Sequence, residues 1–172
     1  VASLLMAPAI AEEFSDKTYS YLWSRPFPRS SVLFGKLVAG TIFASLLFAI
    51  ATFAAATFVP GLGMDVVLRS ILALILGVIV VGSIAACIGI LLPKYPLAIS
   101  ISYFLIIDIG MGAMPFAVAK LSVHRNVRVL AGTYQGEASV IEAVLWMLGL
   151  AALPALLGLM RLGRKEISSV GS

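Results

Sequence analysis

Few side chains in this 172-residue sequence are equipped for chemistry, because only 12% are charged and there is one histidine and one cysteine. Asp108 stands out, set in the middle of the apolar run FLIIDIGMG. A carboxylate near the centre of a bilayer costs about 2.5–3.5 kcal/mol on insertion scales, so it must face protein, water or a cation. Two readings stand open. Asp108 lines a translocation path or a subunit contact, or it is a protonated or hydrogen-bonded carboxyl that fixes helix packing.

The remaining candidates are weaker. His124 lies beside Arg125 in a polar loop and has no second member for a metal site or a catalytic pair, so it reads as a solvated side chain. Ser83 follows a glycine, a poor nucleophile cue, and packing is its expected role. Glu142 reads as an ordinary interfacial carboxylate. Cys87 offers neither a disulfide framework nor a metal set. The nearest approach to a phosphate-binding loop is GLMRLGRK, Gly158 to Lys165. It has Arg164 where lysine is required and no hydroxyl after it, so no nucleotide is expected on this chain.

These residues are positioned by apolar runs. The sequence is 61% hydrophobic, with a mean hydropathy of +1.09. Such a chain cannot cover a soluble surface, and it reads as an all-α integral membrane protein in a lipid bilayer. Four stretches are long enough to span, at residues 37–59, 71–92, 97–118 and 140–160, since a helix needs about 20 residues to cross the hydrocarbon. Residues 1–11 are apolar but half as long, and are expected to be the end of a helix whose beginning is missing. Gly82 and Ala86, Ser83 and Cys87, and Ala85 and Gly89 are spaced for close helix contact in lipid. Gly110, Gly112 and Pro115 predict a kink or a re-entrant break late in the third full span.

The net charge of +4 need not mean nucleic acid, and none is expected as a partner. Eight of the 12 basic residues sort to one face: Lys17, Arg25, Arg29, Lys36, Lys94, Arg161, Arg164 and Lys165. Arg69, Lys120, Arg125 and Arg128 sort to the other. Basic residues favour the cytoplasm. The bias therefore predicts an inner (plasma) membrane protein with residues 12–36 and the 161–172 tail inside, and a long loop, 119–139, outside.

Between the first two apolar runs lies YLWSRPFPRSSVLFGK, a basic elbow broken by Pro26 and Pro28. Asp16 can cap a short amphipathic surface helix carrying Tyr19, Leu22 and Trp23 along one side. The prolines stop it, and Ser30 or Ser31 can cap the next helix, running through Lys36 into the membrane.

The segment IAEEFSDKTYSYLWSRPFPRSSVLFGKL resembles the region after the second membrane helix of ABC-2 type transporter permeases. Glu13, Thr18, Pro26, Arg29, Gly35 and Lys36 fall on that family's E-x-x-x-G-T, R/P-x-x-R and G-K pattern, while Lys17 stands where glycine is usual. Four further spans, a long outer loop before the last and the basic tail RLGRKEI extend the resemblance over nearly the whole chain. The resemblance implies that the elbow is a coupling helix docking on a separate ABC ATPase subunit, through Trp23, Arg25, Phe27 and Arg29. It implies pairing with a second permease copy or homologue, two upstream spans (one absent entirely and one mostly), and no cofactor on this chain, with ATP and Mg on the partner ATPase. A non-transport membrane scaffold or an intramembrane enzyme is the alternative from a different class.

Overall fold

The computed structural model describes residues 29–59, 63–92, 94–114 and 117–170. They form helices and connecting turns, with no strand among the described residues. α1 spans Arg29–Thr57 and α2 spans Met64–Leu91. α3 (Pro96–Ser102) passes without interruption into a π-helical stretch, Tyr103–Asp108, and then into the single turn of α4, Ile109–Gly112. A 3-10 turn at Ala117–Leu121 precedes α5 (Val123–Leu130), and α6 runs from Val140 to Val170.

Three of these helices, at Leu37–Thr57, Met64–Leu91 and Val140–Gly158, are long and apolar enough to cross a membrane, and the apolar Pro96–Gly112 segment is shorter. The molecule is a membrane helical bundle. Its hub is α2. Half of the most apolar window of α2 is buried, against 6% for α1 and 11% for α6. Lipid gives helices little hydrophobic reason to associate, so close packing of small residues must do so. Of the residues paired by that spacing, Gly82, Ala85, Ala86, Cys87 and Gly89 are buried and Ser83 is half-buried; Gly77 is buried as well.

Packing fixes the directions. Leu37 meets Ala85 while Ala44 and Phe48 meet Val78, so α1 runs antiparallel to α2. Met147 joins Val80 and Ile84 in the core, and Gly158 approaches Ile90, so α6 runs parallel to α2. The start of α1 and the ends of α2 and α6 therefore share one end of the bundle, and α5 packs on α2 and α6 at the level of Gly77 to Ile84, midway along α2. Val123 of α5 completes the core with Val80, Ile84 and Met147.

Several boundaries differ from the hydropathy reading. α2 begins at Met64, so Asp65 and Arg69 belong to the helix. Asp65 sits in its first turn, where a carboxylate favours the helix dipole. α1 begins at Arg29, which places Ser30 and Ser31 inside its first turn. The third apolar stretch stops being helical after Gly112 instead of continuing to Val118. The 119–139 loop carries α5, and the tail remains helical through Val170. Residues 1–11 and the amphipathic helix expected after Asp16 lie outside the described residues.

Candidate functional site

A buried polar constellation lies where α5 meets the π-helical stretch. Asp108 is 3% exposed. Its Oδ1 accepts the backbone N–H of Val123 at 2.7 Å, and its Oδ2 accepts that of His124 at 3.0 Å. These are two of the four amides that every α-helix leaves unpaired at its N-terminus. The first turn of α5 contains no acidic residue of its own. Asp108 supplies from a different helix the negative charge that a helix start favours.

Ser122 is the N-cap. Its Oγ accepts the Arg125 N–H at 3.1 Å, the usual serine cap geometry. The other end of α5 closes as a Schellman motif. Gly132, at φ +74°, donates to the Val129 carbonyl, and Thr133 donates to that of Arg128. Both ends of this eight-residue helix are thus satisfied, which allows it to persist at a length where an isolated helix would melt.

Two glycines allow α5 to seat closely. A Cβ on Gly112 would lie 2.8 Å from the Ser122 Oγ, and one on Gly77 would lie 2.8 Å from Val127 Cγ2. Fully buried Asn126 donates through Nδ2 to the Lys120 carbonyl at 2.8 Å. Lys120 in turn pairs with Glu142 at the start of α6. The Arg125 guanidinium rests 4.9 Å from the centroid of the Tyr134 ring. α5 is therefore held to the π-stretch by Asp108, to α2 at Gly77, and to α6 through the Lys120 pair. Beside it lies an apolar cavity of about 510 Å³, lined by Phe48, Leu74, Phe104, Asp108, Ile109 and His124 among others.

Of the residues singled out from sequence, Trp23, Arg25 and Phe27 lie outside the described residues. Arg29 is the first residue of α1. Ser83 gives its hydroxyl to the Ile79 carbonyl of its own helix. Cys87 is buried, and His124 is exposed and takes part through its backbone. Among the described residues no three His, Cys, Asp or Glu side chains gather as metal ligands. Sequence reasoning missed Ser122, Asn126 and the seat made by Gly77 and Gly112. The serine before VHRNVRVL and the glycine at position 132, which bracket a helix, were the available signal.

Compared with models of protein families, residues 1–168 match the one described as Protein of unknown function (DUF2705). No curated protein and no solved structure matches the chain.

Proposed function

We propose that this chain, which belongs to the DUF2705 family, is the membrane-spanning permease subunit of an ATP-binding-cassette exporter. It forms a translocation path with a second permease copy or homologue and carries no catalytic activity of its own. ATP and Mg bind the separate ATPase subunit, which docks on the elbow through Trp23, Arg25, Phe27 and Arg29. The chain crosses the inner membrane with four complete spans, the third being the short Pro96–Gly112 segment. The elbow and C-terminus lie in the cytoplasm, and α5 lies on the outer side.

The observation that carries this reading is the elbow motif from Glu13 to Lys36. The helical bundle supports it in two ways. α1 continues from Arg29 through Gly35 and Lys36 into its span as one unbroken helix, which ties any force on the elbow to a membrane helix. α1 also leaves Ile42, Phe43, Leu46, Ile50 and Phe53 exposed along its length, a face that suits lipid or a second membrane subunit.

Purification of the full-length protein from its native membrane tests the proposal. A soluble ATPase with a phosphate-binding loop, recovered in stoichiometric amount and stimulated by the membrane subunit, is the expected result. Recovery without any such ATPase overturns it.

A further inference from the structure

The π-helical stretch and the Asp108 cap are one device. An α-helix advances 3.6 residues per turn, whereas a π-turn, with its i→i+5 hydrogen bonds, places an additional residue in the turn. Because Tyr103–Asp108 is π-helical, everything after it is set back by nearly one residue, a rotation of up to roughly 100° about the axis. That setback brings Asp108 onto the face shared by Tyr103 and Phe104, both of which pack on the core.

In a plain α register continued from α3, Ile107 would occupy the direction Asp108 now holds. Asp108 would turn to the direction now held by Ile109, which lines the cavity beside His124. Ile107 has no group that can accept the Val123 and His124 amides. The wide turn therefore persists only while it delivers a carboxylate to α5.

We propose that Tyr103–Asp108 is a two-register catch for α5. In the π register Asp108 caps α5 and holds it on the bundle. In the α register the carboxylate swings away from those amides, along the cavity wall it already lines, to the place of Ile109; Ile107 faces the vacated amides, and α5 is released. The surroundings suit such a switch. Leu105, Ile106 and Ile107 are all exposed and apolar, so Ile106 takes the place of Ile107 on the lipid-facing side as the segment turns, while Asp108 takes the half-exposed place of Ile109 beside the cavity. Gly110 and Gly112 follow it directly. A Cβ at Gly110 would meet nothing within 4 Å, which leaves room for α4 to turn with it.

The test reads α5 directly and requires no transport assay. Val129 lies on α5 and is 6% exposed. In the full chain, reconstituted in lipid nanodiscs and carrying Cys87→Ala, Val129→Cys reports release through its rate of modification by N-ethylmaleimide. Asp108→Ala should raise that rate about tenfold or more, because two charge-assisted hydrogen bonds are lost. Exchanging the two residues, Ile107→Asp with Asp108→Ile, places the carboxylate where only the α register caps α5, and should restore slow modification.

An unchanged rate in Asp108→Ala overturns the catch. So does an exchange variant that stays as reactive as Asp108→Ala. If the exchange variant fails to fold on gel filtration, deletion of Ile106 substitutes for it. Deletion leaves Asp108 aimed at α5 in a plain α-helix with no second register, so modification should be slower than in the parent. A rate equal to or above the parent's overturns the proposal.

Discussion

The carboxylate of Asp108 and the backbone amide of Val123 lie 2.7 Å apart across the junction of two helices, both residues almost wholly buried. One side chain thereby satisfies the start of a helix 15 residues later in the chain. It also accounts for the tolerance of a carboxylate in an otherwise apolar segment, since its two oxygens have partners.

Removal of that carboxylate should be felt in stability. Hydrogen bonds to charged groups contribute about 1.5–3 kcal/mol, and two amides lose their acceptor. Asp108→Ala should therefore unfold at lower denaturant than the parent, and Asp108→Asn, which offers one acceptor oxygen and presents an NH₂ to the second amide, should fall between the two. Chemical denaturation in detergent checks the order.

The seat of α5 on α2 should be intolerant of a single methyl group. Gly77→Ala brings its Cβ against Val127, and overpacking of this kind costs about 1–3 kcal/mol. Val127→Ala in the same chain should recover part of the loss. A double-mutant cycle in unfolding free energy should show coupling above about 0.5 kcal/mol, and strict additivity would contradict the contact.

The elbow reading predicts a binding defect without an insertion defect. Interface anchors are typically aromatic or arginine and cost 2 kcal/mol or more when truncated, which is roughly thirtyfold in affinity. The charge-preserving pair Trp23→Ala and Phe27→Ala should leave membrane insertion intact, release the ATPase on co-purification, and abolish transport-coupled hydrolysis. Normal hydrolysis in a well-inserted double variant would leave the elbow as a topology signal alone.

Orientation is open to thiol labelling. In a Cys87→Ala background, an impermeant maleimide applied to intact cells should modify cysteine at Gln135, which is exposed, and should spare cysteine at Ser24 or Ser168. The reverse pattern would place the tail outside.

The bundle was legible in the sequence because hydropathy over 20 residues is a strong signal, and the small residues of α2 announced its buried face. The ends of helices were less so. Hydropathy starts the second span at residue 71 because Asp65 and Arg69 are charged, although charges at a helix end can remain in water and the helix begins at Met64. Within the expected 119–139 loop, α5 is hidden for a similar reason. His124, Arg125, Asn126 and Arg128 make up half of it, while Val123, Val127 and Leu130 recur at helical spacing over too few turns to stand out. The hydrogen-bonded role of Asp108 was one of two open readings, but its partners were not readable. They depend on a π register, and a run such as YFLII carries no mark of which carbonyl each amide will choose.

The central place of α2 also orders the molecule in time. A ribosome makes α2 second among the described helices, yet its most extensive partner is α6, the last to emerge. Until then Val80 and Ile84 lack Met147. Packing of this face of α2 must therefore wait for α6. A chain cut short near Gly136 would be inserted yet unfinished, with Val80 and Ile84 short of the partner that Met147 supplies.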